Sequence, residues 1–325
     1  MRTASAAAVH GPWPLLAIST IRIPTAGCMN LKELTWPVRI YWDLPENPSD
    51  PIRCRKICDE LIEMKVLFLS LRDTAPAVSQ GCRDVLEKLK GNNIGLSLTV
   101  SGSALTQTLP GLLLGVKLKT LLAEAFSFSQ VSSLPEKARG IGTTGLPFGI
   151  SFEVGRDNYH EIPQVVSFCL KNGMRDLVFP IQRLAAKREL FYIKTKEREE
   201  LALKLGIIDF RMLRVTIHDP FLWKVFYPDT DYHEGGCQAA NSMLYIDSEY
   251  RVYPCPAMSI ELGDLQETTL DTIVLSAKKK DLRRSLLNPP AECAACDQVS
   301  KCLGGCRGRA FASADSLSRR DPACE

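Results

Sequence analysis

From Val38 onward the chain alternates between two hydrophobic periods. Val38-Arg39-Ile40-Tyr41-Trp42 has the short, β-rich run of a strand. Residues 52–65 then repeat apolar side chains at helical spacing, with Cys54, Ile57, Cys58, Leu61 and Ile62 on one face. Residues 66–71 predict a second strand. Residues 78–89 predict a second helix, with an apolar stripe of Val78, Cys82, Val85, Leu86 and Leu89. A third strand is expected at 94–100. The stretch 106–145 has weaker periodicity, and within it 118–126 reads as a helix. Strand 147–154, helix 162–170, strand 177–180, helix 197–205 and strand 213–217 complete the pattern. Repeated βα units imply a parallel sheet, closed or partly closed.

Composition narrows the class. The chain has 325 residues, 45% hydrophobic and 24% charged, which suits an ordinary globular protein of one large and one small domain. A net charge of +3 gives no argument for nucleic acid, and no apolar run reaches membrane-spanning length. Residues 1–28 read separately. Thr25-Ala26-Gly27-Cys28 faintly matches a lipoprotein cleavage box, but Arg22, Pro12, Pro14 and Pro24 interrupt the apolar stretch before it. Met29 opens a natural beginning, so 1–28 is expected to be a disordered or misassigned extension.

The candidate chemistry lies at the other end. Cys293, Cys296, Cys302 and Cys306 follow C-x2-C-x5-C-x3-C spacing, with Cys237 and Cys255 before them and Cys324 after. A short C-x2-C turn aims two thiolates at one metal centre, and outlying cysteines complete the coordination. Gly304 and Gly305 let backbone N–H groups approach sulfur. Twelve cysteines at such spacings argue for thiolates kept reduced for metal rather than for disulfides, hence a cytoplasmic location. Structural zinc is the simpler alternative for the cluster.

The order of all seven cysteines, with Val252-Tyr253-Pro254-Cys255-Pro256 and Leu262-Gly263-Asp264-Leu265 between them, resembles the SPASM domain that extends radical S-adenosylmethionine (radical SAM) enzymes. Tyr250 departs from that pattern, where a turn glycine is common. The resemblance implies two auxiliary [4Fe-4S] clusters. Cys293, Cys296, Cys302 and Cys324 would hold the distal one, and Cys237, Cys255 and Cys306 the proximal one. The fourth proximal position is left to His233, Asp231, a substrate group or water. The fold expected is α/β: a degenerate partial (βα) barrel of radical SAM type over 29–225, followed by a small Cys-rich α+β SPASM domain over 226–325.

The barrel lacks what the resemblance would place in it. Radical SAM enzymes carry C-x3-C-x2-C after the first strand, whereas residues 43–51 here hold no cysteine. Cys54 and Cys58 are followed by Leu61 where the third thiol would stand, and both read as core, as do Cys82 and Cys169. Leu71-Arg72-Asp73-Thr74 replaces the family's Gly-Gly-Glu. No S-adenosylmethionine is therefore expected. A SPASM region on such a barrel resembles the SPASM-only component of the GeoRSP system. That implies an accessory role beside a radical SAM/SPASM enzyme, a PqqD-type peptide chaperone or a substrate peptide, with no nucleic acid and no membrane. An enzyme with a non-standard cofactor site and a zinc-stapled interaction module are the alternatives. Gly140-Ile141-Gly142-Thr143-Thr144-Gly145 reads as a loop rather than a nucleotide site. Lys278-Lys279-Lys280 with Arg283 and Arg284 reads as a solvated helix face. Arg307, Arg309, Arg319 and Arg320 are candidates to offset cluster charge, Arg307 first among them. No Ser/His/Asp constellation is present.

Overall fold

The computed structural model describes residues 33–45, 51–138, 145–186, 189–230 and 236–324. The 1–28 extension, Asp231 and His233, and most of the Gly140–Gly145 loop lie outside the described residues.

Seven parallel strands follow one another through the first two thirds of the chain: β1 (Arg39–Asp43), β2 (Phe68–Asp73), β3 (Gly95–Ser101), β4 (Leu118–Ala125), β5 (Phe148–Phe152), β6 (Asp176–Phe179) and β7 (Arg214–Ile217). Between them run α1 (Pro51–Glu63), α2 (Gln80–Leu89), α3 (Leu109–Leu112), α4 (Phe128–Lys137), α5 (Ile162–Lys171) and α6 (Thr195–Gly206), and α7 (Pro220–Phe226) follows β7. Sequential order from β1 to β7 is the winding of a barrel. The sheet stays open, with order β10-β9-β8-β1-β2-β3-β4-β5-β6-β7. This is the partial barrel that the periodicity and the resemblance predict. Among the described residues no helix is long and apolar enough to cross a membrane.

The three remaining strands belong to the Cys-rich region. β8 (Met243–Ile246) pairs in parallel with β1, in the register Arg39↔Met243 to Trp42↔Ile246. β9 (Arg251–Tyr253) and β10 (Gly263–Asp264) add antiparallel. Helices α8 (Leu270–Leu275), α9 (Ala277–Leu287), α10 (Val299–Cys302) and α11 (Arg307–Ala314) complete the chain. One sheet therefore runs from the barrel strands into the Cys-rich strands.

The two faces of this sheet differ. Ile40 and Trp42 of β1, Leu69 and Leu71 of β2, and Leu96 and Leu98 of β3 are buried in the main core with α1 and α2. Their alternate neighbours are polar: Arg39 donates to Ser70 at 3.4 Å, Arg72 to Glu124 at 2.6 Å, and Thr120 to Asp176 at 3.1 Å. Parallel sheets are usually apolar on both faces. Here the inner face is polar.

Two expectations are corrected. Residues 118–126 form strand β4, not a helix. Leu, Ala, Lys and Glu favour helices locally, but this segment lies between β3 and β5 with four consecutive buried residues. Leu121, Ala123 and Ala125 alternate into the core, but Leu122 between them blurs the period of two that would betray a strand. The run Lys278–Arg284 is not a solvated face throughout. Lys279 and Arg283 are buried, with Lys279 Nζ donating to the Leu34 and Thr35 carbonyls at 3.2 and 3.3 Å. Arg283 donates to the Cys237 carbonyl at 2.5 Å. Only Lys278, Lys280 and Arg284 face solvent.

Candidate metal centres and the rim of the sheet

The loop between α10 and α11 sets the first geometry. Leu303, Gly304 and Gly305 all adopt positive φ, at 51°, 92° and 69°. Glycine is required at two of them. A Cβ at Gly304 would meet Pro290 Cδ at 2.3 Å, and one at Gly305 would meet Asp321 Cβ at 2.8 Å. The chain reverses tightly here, so Cys302 and Cys306 stand on either side of the turn. Cys306 then caps α11, its sulfur accepting from Arg309 N–H at 3.5 Å. Asp321 fixes this corner. It accepts from Cys306 N–H at 2.7 Å, from Ala323 N–H at 3.0 Å, and from the Arg309 guanidinium at 2.7 and 2.8 Å. Arg309 also bonds Asp219, the N-cap of α7, and so ties the cysteine loop to the barrel.

The thiols sort into two groups. Burial raises the Cys293 pKa, and Cys302, Cys324 and Cys296 raise it further. Cys324 is likewise raised by burial and by Cys302 and Cys296. These four stand within electrostatic reach of one another. Separately, burial drives Cys255 well above the usual thiol range, with Cys237 and Cys306 adding to it. Cys306 is pushed up to about 12 by burial, with Asp321 and Cys237 adding and Arg309 opposing. The sequence resemblance assigns Cys293, Cys296, Cys302 and Cys324 to a distal position and Cys237, Cys255 and Cys306 to a proximal one.

The group of Cys237, Cys255 and Cys306 lines a space larger than an ion needs. Among the described residues, no three His, Cys, Asp or Glu side chains converge where a single metal ion would sit. Tetrahedral zinc, with Zn–S bonds of about 2.3 Å, draws its thiolates to about 3.8 Å of each other. A cavity of about 290 Å³ is lined by Cys237, Cys255, Cys302, Cys306, Ile217 and His218, among others. One water needs only about 15 Å³ measured this way. Buried Arg307 lies within electrostatic reach of Cys237 and of Cys293, one from each group. Two of its nitrogens donate to the Asn288 and Leu317 carbonyls at 2.7 and 2.6 Å, while its Nε is buried without a partner among the described residues. An orphaned cationic donor between two thiol sets fits anionic iron–sulfur groups on either side. The other arginines differ: Arg319 pairs with Glu292 at 2.7 Å, and Arg320 opposes the rise of the Cys324 pKa.

The C-terminal ends of the barrel strands form the second geometry. Asp43 ends β1 and accepts from Arg183 at 2.6 and 3.2 Å, from Tyr245 Oη at 3.2 Å and from Arg72 at 3.4 Å. Burial works against the charge on Arg183, yet the Asp43 carboxylate holds its pKa above the usual guanidinium value. Asp73, the next residue after Arg72, accepts from the N–H groups of Ala75 and Ser79 at 3.2 and 2.7 Å and shapes the turn into α2. His218, just past β7, stands edge-on to Tyr41 with ring centroids 6.0 Å apart. Burial, with Arg39 and Arg183 nearby, lowers its pKa to about 4.

Cys54 and Cys58 lie away from this rim. Both are fully buried in the core on α1, and the Cys54 sulfur meets Tyr250 Oη at 3.6 Å. Among the described residues no third thiol joins them. Tyr250 has φ of 66°, the left-handed conformation that a turn glycine adopts without strain. The contact with Cys54 and the stacking of Arg53 at 5.4 Å offset that cost. His218 and Asp321 were not legible as site residues, since neither belongs to a motif, and Arg283 read only as part of a basic run.

Comparison with known proteins follows this geometry. Residues 237–297 match the SPASM family model, an iron-sulfur cluster-binding domain. The chain is 24% identical over 215 residues to the AdoMet-dependent heme synthase of Nitratidesulfovibrio vulgaris. That match covers 58% of this chain and 57% of the relative, so it spans little more than half the relative's length. Streptococcus suis SuiB bound to precursor peptide SuiA superposes with a TM-score of 0.67 at 15% identity, over 91% of this chain and 77% of that one. Native anSMEcpe with bound AdoMet gives 0.62 at 14% identity, over 88% and 94%. These structures share the fold. Residues 237–297 thus match an iron–sulfur cluster-binding SPASM domain, carried on a chain whose fold is similar to that of radical SAM/SPASM proteins.

Proposed function

We propose that this protein is an iron–sulfur accessory component of a peptide- or protein-modifying system, working beside a radical SAM/SPASM enzyme. Cys293, Cys296, Cys302 and Cys324 hold one [4Fe-4S] cluster, and Cys237, Cys255 and Cys306 hold a second. Such clusters supply one-electron transfer at potentials set by charge, hydrogen bonding and burial. The chain's own residues carry the rest of the role. Arg307 offsets the charge of both thiol sets, and Asp321 and Arg309 fix the loop. A PqqD-type chaperone is the partner that would deliver a substrate peptide. SuiB with its precursor peptide SuiA and anSMEcpe with a Kp18Cys peptide are peptide-bound structures of this fold, which supports a peptide as the docked group.

The observation that carries the accessory reading is the cross-bonded rim. A sulfonium cofactor's amine and carboxylate need free donors and acceptors at the ends of β1 and β2. Asp43, Arg72, Arg183 and Glu124 satisfy one another there instead. The eleven described cysteines are free of disulfides, which suits a reducing compartment such as the cytoplasm.

The test is anaerobic reconstitution of the full chain, with iron and acid-labile sulfide measured per protein and S-adenosylmethionine binding followed by equilibrium dialysis. About eight irons and eight sulfides without cofactor binding support the reading. Reductive cleavage of S-adenosylmethionine by the reconstituted protein overturns the accessory role in favour of an enzyme. Zinc without sulfide overturns the cluster assignment.

A further inference from the structure

We infer that His218 supplies the fourth ligand of the proximal cluster, through a ring nitrogen. The inference rests on the cluster reading of Cys237, Cys255 and Cys306. Those thiols account for three corners of a four-iron core and leave one iron without a protein ligand. The cavity that they line is also lined by His218, which the end of β7 carries to its wall from the barrel side. Tyr41 packs edge-on against the imidazole, at 6.0 Å between centroids and 84° between planes. Tyr41 itself lies within electrostatic reach of Cys255. Among the described residues, no hydrogen bond occupies either ring nitrogen of His218. A half-buried imidazole with an unused lone pair, on the wall of a cavity that three thiols also line, has the chemistry of a ligand. Histidine is an established substitute for cysteine on iron–sulfur irons, and it raises the potential because it brings no negative charge.

Among the described residues, Cys302 is the other Cys or His on this cavity. It lies within electrostatic reach of Cys293 and Cys324, with which the cluster reading groups it. His218 also precedes Cys237 by 19 positions (237 less 218), too far for a spacing rule to join them.

The chain has four histidines, so selective labelling is clean. The full chain is reconstituted anaerobically with and without ¹⁵N-histidine, reduced, and studied by pulsed electron paramagnetic resonance, with iron and sulfide measured in parallel. A directly bound ring nitrogen is expected to give a strong hyperfine coupling that changes with the isotope. It should vanish in His218→Ala and persist in His233→Ala. His218→Cys should restore a four-thiolate spectrum and lower the midpoint potential of one cluster only, a readout independent of any activity. Two intact clusters without a histidine coupling overturn the inference while leaving the cluster reading in place. Loss of the coupling in His233→Ala rather than His218→Ala also overturns it. A protein that takes up zinc and no sulfide removes both the inference and the reading beneath it.

Discussion

Burial gives the same residue type opposite roles in this chain. Cys58 and Cys169 lie in apolar surroundings that disfavour a thiolate, and each pKa is raised to about 12. An unfolded cysteine ionises near 8.5. The folded state therefore binds the proton more tightly, and its advantage is complete below about pH 8.5. Stability should fall as pH rises from there toward 12, as chemical denaturation across that range will show. At pH 8 iodoacetamide should modify exposed Cys296 in the metal-free protein while leaving Cys54, Cys58, Cys82 and Cys169 unmodified. Labelling of the α1 cysteines in the native state would contradict their core assignment. Arg307 makes the complementary prediction. Replacing it by Gln removes the positive charge between the two thiol sets, so both clusters should become harder to reduce, whereas Arg307→Lys should restore part of the shift. Unchanged potentials in spectroelectrochemistry would exclude the charge-offsetting role.

Among the elements, α11 shows how closely the site depends on backbone approach. Gly308 lies against the carbonyl of Ala257, where an added Cβ would stand 2.6 Å from oxygen. That contact holds the helix carrying Cys306 against the loop carrying Cys255. Gly308→Ala should cost about 1–3 kcal/mol and take roughly half of the bound iron with it, measured by denaturation and by iron assay. Full retention of iron would mean that the two elements tolerate separation. Strand β4 teaches a different lesson. Its residues are good helix formers, and only its place between β3 and β5 makes it extended.

Across the whole molecule, the Cys-rich region is built onto the barrel through backbone pairing. β8 takes β1 as its parallel partner some 200 residues away, and Asp43 at the end of β1 accepts from Tyr245 of β8. Asp43→Asn leaves Arg183 and Arg72 short of a buried anion. It should cost about 3–5 kcal/mol, seen as a lowered midpoint in thermal or denaturant unfolding. If the rim had instead kept a cofactor site, the same substitution would change cofactor affinity with little loss of stability.

Much of this protein is legible in the order of its residues. Short apolar runs alternating with helical stripes determine a parallel βα sheet, because backbone hydrogen bonds and side-chain burial have to be met together in each segment. The cysteine spacing near the tail marks the region as a metal site, since the thiolates of a C-x2-C pair turn toward one centre. Tertiary structure alone decided the remainder. It made a strand of 118–125, buried Lys279 and Arg283 on a helix that reads as solvated, and gave Tyr250 the place of a glycine. It also brought His218 to the wall of a cavity that Cys237 and Cys255 line, and bonded Asp321 to the Cys306 N–H. Contacts of that kind join segments far apart in the chain, and local propensity carries no information about which distant group will arrive to satisfy a buried charge or an open coordination position.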